Sequence, residues 1–335
     1  MEGILTVNYA SLAGLGIDGM LAEDLRRDME QVEKLLRDSV RSEYPFVTEA
    51  SRHLVDAGGK RFRPLLVLLA ARYGDPEAVG VVPSAVVVEL THLATLYHDD
   101  VMDEADLRRG ARSANARWDN TVAILTGDFL FARASDILAD LGPEAVRIQA
   151  RTFERLCTGQ IRETVGPVDG DDPVTHHLQV LADKTGSLIA TSCRFGAMLS
   201  GASEPVVDTL TRFGEQIGVA FQLADDLVDI TSDSDQSGKT PGTDLREGVP
   251  TLAALMALRD GDDDVLNAAL IGPIEDDGEH ALVLNRLRGH PAIAAARHEA
   301  RAWADRARGE LAHLPPGPAT DALSALCDYV VDRTG

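Results

Sequence analysis

The chain is short of aromatic residues, of cysteine and of positive charge, and each shortage closes off a class of protein. Only 4% of its 335 residues are Phe, Trp or Tyr, while Ala, Leu and Val are abundant, a balance that suits packed helices better than sheets. The 3 cysteines, Cys157, Cys193 and Cys327, are far apart and have no CxxC spacing. That pattern speaks against a disulfide framework or a zinc site and for a reducing, cytoplasmic setting. Lys and Arg number 32 against 54 Asp and Glu, a formal net charge of -22. No general cationic surface remains to displace counterions from a nucleic acid. Long apolar runs are missing as well: stretches such as "PLLVLLAA" from Pro64 fall far short of a membrane span. The opening "MEGILTVNYA" has neither a basic start nor a long apolar core, so no secretory signal is expected. Any site for an anion must be a local basic cluster, or a metal site, within an acidic surround.

What the chain does have is helical periodicity. Met20 to Val40 carries Met20, Leu21, Leu25, Met29, Val32, Leu35, Leu36 and Val40 at three- and four-residue steps. Similar stripes predict helices over 62–73, 83–101, 121–139, 144–162, 175–199, 206–229 and 252–257, with three more toward the C-terminus. There is no sustained period-two alternation and no Gly-rich strand-to-helix turn, so the expected fold class is all-α and a dinucleotide fold is excluded. Polar stretches interrupt the pattern at 166–177, 231–251 and 259–265. The second is long for a compact domain, where such loops are usually functional or mobile. None marks a change of hydrophobic pattern. A single catalytic domain over 19–335 is expected, preceded by a loosely ordered segment over 1–18.

The stretch "LYHDDVMDEADLRRG", Leu96 to Gly110, crowds acidic residues together and follows them with two arginines. On a helix, His92, Asp99 and Asp103 fall within about 40° of one another, with Asp100 beside them and Thr95 close to the same line. In "GVAFQLADDLVDI", Gln222, Asp225, Asp226 and Asp229 share a face at i, i+3, i+4 and i+7. One DDxxD alone is ordinarily a solvated acidic face. Two of identical spacing, each within an otherwise apolar helix, require compensating cations. The oxygen-only donors suit Mg²⁺ (or Mn²⁺) better than zinc, and Mg²⁺ completes its shell with water and phosphate oxygens. Counter-charge for such a ligand is present in small groups: Lys60 and Arg63 in "GGKRFRP", Arg108 and Arg109 after the first acidic run, Lys184 with Thr185 in "DKTGSL", and Lys239 in the long polar loop.

In this combination the chain resembles the all-trans isoprenyl (polyprenyl) diphosphate synthases. The stretches "GGKRFRP", "ELTHLATLYHDDVMDEADLRRG", "GDFLFARA", "KTGSLI", "FQLADDLVDI", "GKTPGTDLREGVPTL" and "DYVVD" carry the likeness, in order, over most of its length. The resemblance implies an all-α helical bundle around a deep central cavity, usually a homodimer. It also implies Mg²⁺-dependent head-to-tail condensation of isopentenyl diphosphate with an allylic diphosphate. Asp99, Asp103 and Asp225 would hold the metal, three ions per active site, with Asp100, Asp226 and Asp229 holding metal-bound waters or fixing those carboxylates. Arg108, Lys184 and Lys239 would bind the allylic diphosphate. Gln222, Thr185 and the carbonyl of Lys184 would face the allylic cation. Lys60, Arg63, His92 and Arg109 would take isopentenyl diphosphate, so the two adjacent arginines would serve two different diphosphates.

The allylic tail would run from the first acidic motif along the preceding turns. In short-chain members an aromatic residue commonly blocks the position five before the first Asp; here it is Ala94, followed by Thr95, with Val87 and Val88 deeper. None is bulky enough to make a floor near the metals. A long-chain product of the quinone side-chain type is expected, with Phe131 or Leu138 on a facing helix as floor residues and peripheral membrane contact for product release. The alternatives are a shorter-chain (geranylgeranyl or farnesyl) synthase, a non-catalytic subunit of a heteromeric synthase, a terpene cyclase, and a helical interaction protein. The complete acidic and basic sets favour the condensing enzyme.

Overall fold

The structure, a computed structural model, describes residues 19–232 and 241–332. The expectations for residues 1–18 and for Lys239 lie outside the described residues. Those residues are all-α apart from one two-stranded hairpin. The described residues divide into two compact units that alternate along the sequence, one drawn from 19–152, Leu188–Thr211 and His313–Ala325, the other from Phe153–Ser187, 212–232, 241–312 and 326–332.

In chain order the helices are α1 (Gly19–Ser39), α2 (Pro45–Asp56), α3 (Phe62–Ala70, continued by a 3₁₀ turn, Ala71–Tyr73) and α4 (Val81–Met102). The hairpin β1 (Leu107–Arg108) and β2 (Ala111–Arg112) follows, then α5 (Ala114–Arg117), α6 (Asn120–Leu141), α7 (Pro143–Val165) and α8 (Pro173–Leu181). A π turn (Ala182–Gly186) leads into α9 (Ser187–Leu199) and α10 (Glu204–Thr231). The C-terminal part comprises α11 (Thr243–Glu247), α12 (Leu252–Asp260), α13 (Asp264–Ala269), α14 (Asp277–Gly289), α15 (Pro291–Leu311) and α16 (Pro318–Asp332).

Helix starts are encoded locally. Proline occupies the first turn of α2, α8 and α15, where its missing N–H costs nothing. Side chains of Ser113, Asp119, Asp172, Thr251, Asp263 and Asp276 accept backbone N–H bonds at the N-termini of α5, α6, α8, α12, α13 and α14.

The first unit is built on α4, which is apolar almost all round: Val86, Val87, Val88, Leu90, Leu93 and Ala94 are fully buried. Tyr97 pins α4 to α2, its hydroxyl donating to the Ala50 carbonyl at 2.6 Å and accepting from the Leu54 N–H at 3.2 Å. The second unit packs Leu181, Val219, Leu223, Leu227 and Ile230 against α12, α14 and α15.

Several elements depart from the periodicity. Helix α2 was not expected, because its apolar residues, such as Ala50, Leu54 and Val55, are interleaved with a polar run too short to form a stripe. The stretch 175–199 is not one helix but α8, the π turn and α9. Helix α11 lies within the polar stretch 231–251. The short α13 makes four C-terminal helices after α12 instead of three. The hairpin was hidden in the acidic run; its register pairs Arg108 with Ala111, leaving Arg109 and Gly110 as the turn, both at positive φ (55° and 75°), as a two-residue type I′ turn demands.

Candidate active site

In the first unit, α4 ends at Met102 and Asp103 is its C-cap, still in right-handed helical geometry (φ −87°, ψ −2°) with its N–H donating to the Asp99 carbonyl. Asp99 and Asp103 therefore stand one turn apart, as the spacing requires. Asp100 is fully buried, and burial raises its carboxyl above the usual range against the opposing pull of Arg108. Its Oδ1 accepts from Arg108 Nε at 2.5 Å, and Arg108 also reaches Asp103 Oδ2 at 3.6 Å. Asp100 Oδ2 is buried without a hydrogen-bond partner among the described residues. Half of this carboxylate's accepting capacity thus remains open.

Arg109 turns the other way. As a hairpin-turn residue it leaves the acidic face, and its guanidinium donates to the carbonyls of Leu54, at 3.0 Å, and Gly58. Gly59 lies against it: at φ +147° a Cβ there would come within 2.9 Å of the Arg109 guanidinium carbon, so only glycine fits this approach. Arg109 NH2 is 3.9 Å from Glu89 Oε1. Arg63 is half-buried, and burial pushes its guanidinium down to about 10, resisted by Glu89 and assisted by Arg109. His92, one turn after Glu89 on α4, is held well below its ordinary value by burial and then by the charges of Arg63, Arg109, Arg61 and Arg108. A neutral imidazole among guanidiniums is a hydrogen-bonding group in a cationic cluster. Lys60 is exposed at the start of this loop.

In the second unit, α10 carries Gln222, Asp225, Asp226 and Asp229 on one face. Thr185, in the π turn, donates to Gln222 Oε1 at 3.1 Å, and Gln222 Nε2 donates to Asp226 Oδ1 at 2.9 Å. This chain fixes the amide's orientation. Burial raises the Asp226 carboxyl to about 7; the Gln222 hydrogen bond opposes that shift, while Asp225, Asp229 and Glu163 add to it. His177 is buried with its Nε2 3.9 Å from Asp226 Oδ2, and burial lowers it to about 4. Lys184 is paired with Glu163 at 2.5 Å. The π turn is braced by Asp183, which accepts from Arg155 and Arg162, each at 2.8 Å. Single-turn π insertions of this kind recur at functional sites. The backbone N–H groups of Gly242 and Asp244 tie to Asp229.

The residues expected to set product length are all in the first unit. Ala94 is fully buried, and Thr95 donates to the His92 carbonyl. Phe131 stands against His98, ring centroids 5.9 Å apart, level with the acidic motif. Leu138, about 10 Å further along α6, is buried.

Sequence reasoning passed over Arg61, Glu89, Glu163, Asp183 and His177. Glu89 left a readable signal, a lone carboxylate inside "VVVELTHL" that burial would force to find a cation. The others left none, since the charged groups they meet are distant in sequence.

Among the described residues no three His, Cys, Asp or Glu side chains close into a ready-made metal cage. The donors on each acidic face are nevertheless carboxylate oxygens, one of them an unpartnered buried Asp100 oxygen. That set fits a hard cation that completes its shell with water and phosphate.

The chain is similar to known proteins over most of its length. The family profile described as polyprenyl synthetase matches residues 44–284. The nonaprenyl diphosphate synthase of Mycobacterium tuberculosis is 50% identical over 328 residues, 97% of this chain and 98% of that protein. Among solved structures, the geranylgeranyl pyrophosphate synthase from Corynebacterium glutamicum, complexed with calcium and isoprenyl diphosphate, is 46% identical with a TM-score of 0.85, covering 95% of this chain and 98% of that one. The decaprenyl diphosphate synthase from Rhodobacter capsulatus is 35% identical with a TM-score of 0.86, covering 94% and 98%. No helix among the described residues is long and apolar enough to cross a membrane. With its helical fold, two carboxylate faces and separate arginine cluster, the chain belongs to the polyprenyl synthetase family and is a prenyltransferase.

Proposed function

We propose that this protein condenses isopentenyl diphosphate head-to-tail, repeatedly, onto an allylic diphosphate, giving a long-chain all-trans polyprenyl diphosphate of the kind used in quinone side chains. The observation that carries the reading is the divergence of Arg108 and Arg109 from one hairpin, the first onto Asp100 and the second onto Leu54 and Gly58. One arginine thereby joins a carboxylate face and the other a basic cluster. A substrate that ionises and a substrate that does not need these two different environments.

Mg²⁺ or Mn²⁺, three ions per site, would offset the charge that grows on the leaving diphosphate. Asp99, Asp103 and Asp225 would hold them, and Asp100, Asp226 and Asp229 would fix those carboxylates or their waters. Arg108, Lys184 and Lys239 bind the allylic diphosphate. Its C–O bond breaks and the bonding pair leaves with the diphosphate. Gln222 Oε1, Thr185 and the Lys184 carbonyl face the allylic cation as acceptors without attacking it. Lys60, Arg63, His92 and Arg109 orient isopentenyl diphosphate so that its double bond supplies the electron pair for the new C–C bond. The cation that results loses a proton to the released diphosphate, and a new trans double bond forms. No protein base is required.

The small side chains of Ala94 and Thr95 support a long product, as do the names of the nonaprenyl and decaprenyl relatives. Leu138 is the deeper floor residue of the two, since Phe131 sits level with the acidic motif. The enzyme works as a cytoplasmic homodimer that touches the membrane only to release product. The test is to incubate the purified protein with isopentenyl diphosphate, Mg²⁺ and dimethylallyl, geranyl or farnesyl diphosphate, and to size the products. Chains longer than geranylgeranyl are expected. Accumulation of geranylgeranyl or farnesyl diphosphate overturns the long-chain reading, and absence of Mg²⁺-dependent elongation overturns the function.

A further inference from the structure

Arg61 sits between the two residues of "GGKRFRP" assigned above to isopentenyl diphosphate, yet it cannot touch a substrate in the same way. It is only 4% exposed, and its guanidinium is spent on the protein. Nε donates to Glu33 on α1; NH1 donates to Glu89 on α4 at 2.9 Å and to the Gly58 carbonyl at 3.2 Å; NH2 donates to the Val55 carbonyl at 3.1 Å. A bidentate-capable, always-charged fork is the only side chain that can satisfy four such acceptors at once. Its backbone is left-handed (φ 49°), an uncommon state for a residue with a Cβ, and such states persist where surrounding bonds over-determine them.

Two of these four acceptors are shared. Gly58's carbonyl also accepts from Arg109, and Glu89 Oε1 lies 3.9 Å from Arg109 NH2. Arg61 therefore holds two of the groups that hold Arg109. It also precedes Arg63 by two residues at the start of α3, so the angle at which α3 begins depends on it. Glu33, in turn, is paired with Arg37, one turn further along α1, at 3.0 Å.

We infer that Arg61, clamped between Glu33 and Glu89, is the positioning residue that sets Arg109 and the glycine loop in the geometry needed to bind the diphosphate that does not ionise. This rests on the assignment of Lys60, Arg63, His92 and Arg109 to isopentenyl diphosphate. A guanidinium that merely pinned α1, α2 and α4 together would affect stability, or both substrates alike. A positioning residue affects one substrate only.

The test compares Arg61→Lys, which keeps the charge but loses the fork, with Glu33→Gln, which loosens the clamp at a residue outside the assigned binding set. Arg63→Ala serves as the reference for the site itself. Steady-state KM is measured separately for isopentenyl diphosphate and for the allylic diphosphate, with folding checked by circular dichroism. Arg61→Lys is expected to raise the isopentenyl diphosphate KM by about tenfold or more and Glu33→Gln by about threefold, with the allylic KM moving less than about twofold. Should Arg61→Lys fail to fold, Glu33→Gln decides alone. Equal movement of both KM values, or of neither, overturns the inference while a selective Arg63→Ala leaves the site reading standing. A non-selective Arg63→Ala overturns both.

Discussion

Arg108 and Arg109 are adjacent in the chain but bonded to different structures: Arg108 Nε lies 2.5 Å from Asp100 Oδ1, while Arg109 NH1 lies 3.0 Å from the Leu54 carbonyl. The type I′ turn accomplishes this, because it places Arg108 in a strand and Arg109 at the corner.

Separate alanine substitutions should then separate the substrates. Arg109→Ala should raise the KM for isopentenyl diphosphate by about ten- to a hundredfold, as the loss of charge-assisted bonds implies, and spare the allylic KM. Arg108→Ala should impair use of the allylic substrate. It should also destabilise the fold, toward the lower part of the roughly 3–5 kcal/mol that breaking a buried pair costs, since Asp100 is left buried and uncompensated. Kinetics with each substrate varied in turn, and thermal melts, check both. An Arg109→Ala enzyme impaired only toward the allylic substrate contradicts the division.

Asp226 and His177 should give opposing pH dependences of stability in metal-free buffer. Burial raises the Asp226 carboxyl to about 7. Its contribution is therefore full below the unfolded value, near 3.8, and is lost as pH rises toward 7. Burial lowers His177 from 6.5 to about 4, so its contribution is full above 6.5 and is lost as pH falls toward 4. In the shared window each slope is on the order of 1 kcal/mol per pH unit, and the two cancel. Asp226→Asn should leave a protein that melts earlier on acidification. His177→Phe should leave one that melts earlier as pH rises. Melting curves that keep the parental pH profile in both variants refute this.

Metal dependence should be steep and local. Chelation should abolish condensation and Mg²⁺ restore it. Asp99→Asn, Asp103→Asn or Asp225→Asn should each lower kcat by on the order of a hundredfold or more and raise the Mg²⁺ needed for half-maximal rate. Titrating Mg²⁺ at saturating substrates reads this directly. An unchanged Mg²⁺ requirement in all three variants removes these aspartates from the metal site.

Product length should respond to α4 and α6. Ala94→Phe should shorten the product, at a stability cost of about 1–3 kcal/mol for overpacking a buried position, and Leu138→Ala should lengthen it. Chromatographic sizing of the hydrolysed products gives the answer. An Ala94→Phe enzyme that still makes the parental length dismisses the depth assignment.

Much of the fold was legible because its helices are long and their stripes regular. Helix α10 over Glu204–Thr231 and helix α4 over Val81–Met102 lie within a few residues of their predicted spans. The π turn at Ala182–Gly186 was invisible, since it inserts one residue into an otherwise unbroken apolar pattern and is held by Asp183's bonds to Arg155 and Arg162, more than twenty residues away. The hairpin was hidden because strands of two residues are too short to alternate.

The sequence alone determined the helical class, the acidic net charge, the two aspartate ladders and the order of the basic motifs, because helical period and residue chemistry are local properties. Only the tertiary structure decided that Asp100 is the buried partner of Arg108, that Glu163 holds Lys184, and that Arg61 is spent on Glu33, Glu89 and two carbonyls instead of standing open to substrate. The reason is burial. Once water is removed, a charge must find its counter-charge on whatever element the packing brings alongside, and that choice is written in no short stretch of the chain.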